Sequence, residues 1–77
     1  MNRFDLTQIQ TGKEATITHI SGGHRMLNKV EALGIRKGIK IKKVSSQMMH
    51  GPITIQIGNT RIAIGFGMAQ KIFVNME

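Results

Sequence analysis

The sequence contains no cysteine, no tryptophan and no tyrosine, and it has a single proline. Without cysteine, the chain can form neither a disulfide nor a thiolate metal site. A chain of 77 residues allows one domain, which we expect to cover residues 1–77. Such a short chain buries only about 60% of its unfolded surface, so its core is small. Stability must come from a compact core rich in isoleucine, and the sequence leaves homo-oligomerisation open as a further source.

Acidic residues are also scarce, which argues against most enzyme chemistry. Only Asp5, Glu14, Glu31 and Glu77 are acidic, and they are scattered; eleven lysines and arginines give a net charge of +7. Hydrolytic chemistry usually needs paired carboxylates or a nucleophile beside an oriented base. The sequence also has no GxxxxGK[ST] phosphate-binding loop. We therefore expect a protein that is not an enzyme and has no cofactor. Its charge favours an acidic partner, which could be nucleic acid, an anionic membrane surface or an acidic protein face, or else serves solubility alone.

Long apolar runs are missing as well. No stretch of the sequence approaches the roughly 20 apolar residues that a membrane-spanning helix needs. The first six residues lack the apolar run of a secretory signal. These absences predict a cytoplasmic chain without a membrane span, which would serve any membrane process through a partner.

Alternation of apolar and polar residues predicts about five short antiparallel strands. The first covers residues 14–20 and follows a polar turn anchored by Leu6 and Ile9. Its apolar phase slips between Ile17 and Ile20, which predicts a bulge or a strand covered on both faces.

A short helix is predicted from about residue 24 to residue 33. Ser21 is the expected N-cap, and Gly34 suits the left-handed position that ends many helices. The apolar stripe at helical spacing consists of Met26, Leu27, Val30 and Leu33.

The second half of the chain supplies the other predicted elements. Gly58 and Asn59 predict a hairpin with a type II′ turn. We expect the strands to close into a small barrel, because an open sheet would leave apolar edges unpaired. The predicted strands cover 39–45, 53–57, 61–64 and 72–76, with a helical turn near 68–71.

A basic run follows the predicted helix, with its phase slipping at Lys43 and Val44. It places five positive charges in eight residues, Arg36, Lys37, Lys40, Lys42 and Lys43. Lys40 and Lys42 share an outward face, so the run predicts either a solvated strand face or a nucleic-acid contact. Small barrels that bind single strands usually add stacking aromatics. The only aromatics are Phe4, Phe66 and Phe73, which disfavours nucleic acid as the partner.

The histidines are weak candidates for a metal site. His19 and His24 lie five residues apart across a glycine turn, which is not the helical i, i+4 spacing. We expect His19 to be partly buried in a strand, and His24 and His50 to lie in or near loops. Met48 and Met49, beside His50, suit a soft copper ion or serve as adaptable packing groups. We therefore predict no metal site, with a metal-responsive module as an alternative.

Phe66 is the most unusual aromatic, because it stands between two glycines. Two interpretations are open: the ring closes one end of the barrel, or it is exposed and contacts a partner.

Taken together, the order of short motifs resembles ferrous iron transport protein A, the FeoA family. The motifs are GKEATI at 12–17, a glycine turn, Leu27, LGI at 33–35, Gly38, GPI at 51–53, IAI at 62–64, and Ala69 with Ile72 and Val74. The resemblance covers nearly the whole chain. It implies a barrel like that of Src-homology-3 (SH3) domains and a cytosolic accessory role beside a large membrane transporter for ferrous iron. That transporter's soluble part binds GTP, and the small protein is thought to bind and regulate it.

Similar domains are appended to iron-dependent repressors; we expect no DNA-binding domain beside this one, which favours the free-standing accessory role. One departure concerns Gly65, Phe66 and Gly67, where family members tend to carry basic residues. The expected partner contacts are Ile35, Arg36, Lys37, Met49, His50, Gly51, Pro52 and Phe66. Gly34, Gly38 and Gly58 are expected to serve backbone geometry.

Overall fold

Six antiparallel strands and two helices make up the part of the chain that the computed structural model describes, residues 4–47 and 49–76. They are β1 (Phe4–Asp5), β2 (Glu14–Ile20), α1 (Gly23–Ala32), β3 (Lys40–Ser46), β4 (Ile53–Ile57), β5 (Thr60–Ile64), α2 (Phe66–Ala69) and β6 (Ile72–Met76). The strands form one sheet in the order β1-β6-β2-β3-β4-β5. This mainly β architecture confirms the predicted fold class.

The strand that the sequence did not predict is β1. Its two residues pair with β6, Phe4 opposite Val74 and Asp5 opposite Phe73. Two residues are too few to show an alternating pattern, so only the pairing reveals this strand. It extends the sheet beyond the five strands that the periodicity predicts.

Both predicted phase slips are bulges. The register of β2 against β6 shifts between Ile17 and His19. The register of β3 against β4 shifts between Lys43 and Ser45. An inserted residue reverses the face to which later side chains point, which explains why the apolar alternation breaks at these places.

Helix α1 begins and ends one residue earlier than predicted. Its N-cap is Gly22, in a left-handed conformation without a side-chain hydrogen bond, so the expectation that Ser21 caps the helix is wrong. Leu33 is the C-cap and is 42% exposed, so it does not continue the buried stripe. Ile35 takes that place in the core, and its N–H donates to the Val30 carbonyl at 2.9 Å.

Helix α2 begins at Phe66, two residues before the predicted turn at 68–71. Gly65 precedes it in an extended conformation, and the N–H of Ala69 donates to the Gly65 carbonyl at 2.9 Å. Strand β5 therefore ends just before Gly65, and Phe66 and Gly67 form the start of this single helical turn. Within the described residues, neither helix is long and apolar enough to cross a membrane.

The hairpin between β4 and β5 follows the prediction. Ile57 pairs with Thr60 around the two-residue turn. Gly58 has a φ of 57° whereas Asn59 has a negative φ, which matches a type II′ turn. Strand β3 lies one residue later than predicted, and β5 begins one residue earlier.

The core is almost entirely aliphatic and draws on nearly every element. Leu6 and Ile9 are buried in the turn before β2, as predicted. The buried apolar side chains among the described residues are Leu6, Ile9, Ala15, Ile17, Met26, Val30, Ile35, Ile41, Ile53, Ile55, Ile64, Ala69, Ile72 and Val74.

Candidate contact surfaces

We call the segment between α1 and β3, residues 33–39, the joint. Gly34 and Gly38 have φ values of 90° and 91°, and no atom lies within 4 Å of a Cβ built on either. The backbone conformation, not lack of space, therefore selects glycine here. The Gly38 N–H donates to the Ile17 carbonyl at 2.7 Å, which ties the joint to β2. Both φ values lie in the region that the predicted geometric role of these glycines requires.

The side chains of the joint divide between core and surface. Ile35 is fully buried, so it does not belong to a contact surface, contrary to the expectation. Its backbone follows a glycine turn that points the side chain inward. Arg36 and Lys37 are exposed at the turn in which the Ile39 N–H donates to the Arg36 carbonyl at 3.2 Å. These two cations remain available for a partner.

A second surface forms where the β3–β4 loop meets α2. The rings of His50 and Phe66 stack, with centroids 4.4 Å apart and planes at 23°. Pairing of Ile53 with Ile64 places the preceding loop beside the residues that follow β5. We call this surface the aromatic corner; it comprises Met49, His50, Gly51, Pro52 and Phe66. The structure thus brings together five predicted contact residues that lie in two separate stretches of the chain.

Backbone strain is concentrated in the aromatic corner. Met49 and His50 both have a φ of 61°, in the left-handed region that non-glycine residues rarely adopt. Each such residue costs about 1–2 kcal/mol. Met49 is also 93% exposed, which is unusual for a large apolar side chain. Strain of this kind is typical of binding segments, which are held by their surroundings in a conformation suited to a ligand. The adjacent Met48 lies outside the described residues.

Phe66 is neither fully buried nor fully exposed. The ring is half-buried and packs against the core, while one face stacks on the exposed His50. The joint and the aromatic corner, in contrast, do not come together along the sheet. The joint precedes β3, Lys40–Ser46, and the loop of the aromatic corner comes after it; this strand spans about 20 Å if fully extended.

Lys43 does not belong to the exposed basic run. The side chain points inward beside Ile41 and is 4% exposed, because the bulge follows Lys43 and so leaves it on the buried face. Its Nζ donates to the Ile9 carbonyl at 2.7 Å and to the Thr7 carbonyl at 3.4 Å. Burial lowers the pKa of the Lys43 ammonium, and the nearby Asp5 carboxylate opposes that shift. Lys43 therefore fastens the N-terminal segment to β3, and Arg36, Lys37, Lys40 and Lys42 remain on the surface.

We expect the variant Lys43→Met to lower the free energy of unfolding by about 1–3 kcal/mol at neutral pH, because two carbonyls lose their donor. The folded-state pKa of Lys43 lies below its ordinary value of 10.5. Between those two values the unfolded chain binds more protons, so the stability contributed by Lys43 rises with pH. The stability difference between wild type and variant should widen from neutral pH toward pH 10.5. Urea unfolding across this range, with exposed Lys42→Met as control, tests it; equal stability of Lys43→Met and wild type would contradict it.

The three histidines lie on different elements of the fold. His19 is exposed on β2, 5.9 Å between ring centroids from Phe73, so the expectation of partial burial is wrong. His24 is exposed in α1, and His50 belongs to the aromatic corner. Within residues 4–47 and 49–76, no group of three or more histidines and acids is arranged to hold a metal ion; Glu77 lies outside this part.

A further cleft lies between α1 and α2, where the sequence predicted no site. Its volume is about 470 Å³, and Arg25, Lys29 and Lys71 line it with Gly22, Met26, Gly67 and Met68. We call this surface the cation cleft. The i, i+4 spacing of Arg25 and Lys29 is visible in the sequence. Their approach to Lys71 is not, because it depends on how α1 packs against the segment before β6.

Comparison with known proteins extends the resemblance seen in the motifs. The FeoA domain matches residues 4–76. A Methanocaldococcus jannaschii protein, provisionally named Fe(2+) transport protein A, is 32% identical over 71 residues, which cover 92% of this chain and 84% of the relative.

Solved structures give the same result for the fold. A crystal structure described as iron uptake regulatory protein (FeoA) superposes with a TM-score of 0.89 at 30% identity, covering all of both chains. Stenotrophomonas maltophilia FeoA, solved with zinc and described as a prokaryotic SH3 domain protein, superposes with a TM-score of 0.78 at 21% identity. It covers 94% of this chain and 89% of that one, so the predicted SH3-like barrel is confirmed. With the family match spanning 4–76, the chain belongs to the FeoA domain family.

Proposed function

We propose that this chain is a small accessory protein of ferrous iron uptake. It binds and regulates the cytosolic, GTP-binding part of a membrane ferrous iron transporter. The family match over residues 4–76 carries this proposal. Two relatives support the same process, since one is named for Fe(2+) transport and the other as an iron uptake regulatory protein. The chain acts in the cytoplasm through protein contacts, without chemistry or a cofactor of its own.

The aromatic corner is the main contact in this proposal. Methionine and aromatic side chains are enriched at the centres of protein interfaces. Met49 offers a flexible apolar anchor that is 93% exposed, and the Phe66 ring beside it is held in place by the core and by His50. A partner that covers Met49 and the open edge of this stack would bury both without a large rearrangement.

Arg36 and Lys37 provide a second, electrostatic contact. Both cations are exposed at a turn fixed by Gly34 and Gly38. Exposed charges of this kind mainly raise the association rate and select the partner's orientation. We expect the variant with both Arg36→Glu and Lys37→Glu to associate with the transporter's cytosolic domain about tenfold more slowly at low salt. Stopped-flow association at two salt concentrations tests this, with Lys40→Glu and Lys42→Glu as the matched control; an equal loss in both variants would exclude a specific role for the joint.

The binding step can be tested with purified components. The chain is immobilised and offered the transporter's cytosolic domain without nucleotide, with GDP and with a non-hydrolysable GTP analogue. We expect retention of the domain in at least one of these states. Absence of retention in every state, together with normal ferrous iron uptake in a deletion strain, would reject the proposed function.

A further inference from the structure

The cation cleft is lined by three positively charged side chains. Arg25 and Lys29 approach it from α1, and Lys71 from the turn before β6. Among the described residues, no carboxylate lines it. The two clefts around Lys42 differ in this respect, because Glu14 lines both and offsets part of their charge.

The three cations oppose one another at some energetic cost. Arg25 and Lys29 stand one helical turn apart, a spacing at which like charges destabilise a helix. Lys71 is kept close by packing, since a Cβ on Gly22 would lie 3.3 Å from the Lys71 Cδ, and the Ser21 N–H donates to the Lys71 carbonyl at 2.8 Å. A multivalent anion bound between the three cations would offset their mutual repulsion. The concave shape of the cleft also strengthens the positive electrostatic potential at the position of the anion.

We propose that the cation cleft binds a phosphoryl-bearing ligand. A guanidinium group matches phosphate oxygens with two parallel hydrogen bonds, and the two ammonium groups add point charges that can follow the ligand. The volume of about 470 Å³ exceeds that of one phosphate group and falls in the range of small-molecule sites. Met26 and Met68 supply an adaptable apolar floor for the part of the ligand that carries the phosphoryl group.

Two kinds of ligand carry the phosphoryl group that this cleft would recognise: a free phosphorylated molecule and a phospholipid headgroup. The proposal is independent of the transporter contact, because it involves neither the aromatic corner nor the joint. Its test therefore needs only the chain and defined anions.

The experiment follows amide signals of the ¹⁵N-labelled chain by NMR while inorganic pyrophosphate is added at constant ionic strength. We expect saturable shifts confined to residues 22–29 and 67–71. The variant Arg25→Gln, Lys29→Gln, Lys71→Gln should bind pyrophosphate at least about tenfold more weakly, because it loses three charge contacts, each modest by itself, at the same time. The matched control Lys13→Gln, Lys40→Gln, Lys42→Gln removes the same charge elsewhere and should bind within about twofold of wild type. Glutamine retains helix propensity at Arg25 and Lys29, and all six substituted side chains are exposed, so both variants should fold.

Two further arms identify the source and the class of ligand. In one arm, the chain is sedimented with vesicles of phosphatidylcholine that contain phosphatidic acid. Sedimentation that only the cleft variant loses would identify the ligand as a phospholipid headgroup. Saturable pyrophosphate binding without sedimentation would identify it as a free phosphorylated molecule. Non-saturating shifts, or equal losses in the two variants, would overturn the proposal in favour of general attraction to a basic protein. A hexaglutamate peptide that binds this cleft more tightly than pyrophosphate would also overturn it, in favour of an acidic protein segment.

Discussion

Replacing Phe66 with alanine is expected to weaken binding to the transporter's cytosolic domain by at least about thirtyfold, the size of an interface hot spot. The reason is that the ring both presents a face at the aromatic corner and holds His50 in its stack. Without the ring, the strained backbone at Met49 and His50 loses a contact that supports it. Isothermal titration calorimetry of the variant against wild type measures the change.

Stability must be separated from binding in this test, because Phe66 also packs against the core. Phe66→Leu keeps apolar volume but removes the aromatic stack, so it should fold normally and bind with intermediate affinity. Phe73→Leu changes a half-buried aromatic elsewhere on the barrel and should leave affinity unchanged. Equal affinities for wild type, Phe66→Ala and Phe66→Leu would show that the aromatic corner is not the contact surface.

Gly22→Ala should be the most damaging single-methyl change, lowering the free energy of unfolding by about 2–5 kcal/mol. Gly22 has a φ of 107°, and an added Cβ would lie 2.9 Å from the Met26 Cβ. The substitution thus combines left-handed strain with a clash against the first turns of α1. Because small domains are stable by only about 5–15 kcal/mol, this loss is a large fraction of the total.

Gly12→Ala provides the matched control for that change. Gly12 also has a positive φ, 93°, but no atom lies within 4 Å of its Cβ position. It should therefore show only the conformational part of the effect, about 1–2 kcal/mol. Urea unfolding of the two variants isolates the clash, and equal destabilisation would contradict the close packing of Gly22 on Met26.

The sequence predicted most of the barrel because its strands alternate clearly. The isoleucines of β4 and the glycine of the following hairpin carry local signals that do not depend on the rest of the fold. The exposure of Leu33 and the burial of Lys43 could not be predicted in this way, because both depend on the rest of the fold. Helical spacing places Leu33 on the buried stripe, yet the helix stops before it. Lys43 belongs to the basic run by sequence, yet the position of the bulge leaves it on the buried face.

The contact surfaces divide in the same way. Gly34 and Gly38 were predictable because left-handed glycines follow from local chain geometry. The stack of His50 on Phe66 and the shared cleft of Lys71 and Arg25 join residues that are far apart in the sequence. Strand pairing and helix packing bring these residues together. The periodicity of a single segment therefore cannot predict these contacts. Ile35 shows the converse, since it was proposed as a contact but belongs to the core.

Ferrous iron uptake in a strain that lacks the native gene tests the central proposal most directly. Cells are complemented with the wild-type chain, with Phe66→Ala or with Phe73→Leu, at matched protein levels, and accumulation of radiolabelled ferrous iron is measured. We expect the wild-type chain and Phe73→Leu to restore regulated uptake and Phe66→Ala to fail. Uptake that is the same with and without the chain would contradict an accessory role in ferrous iron transport.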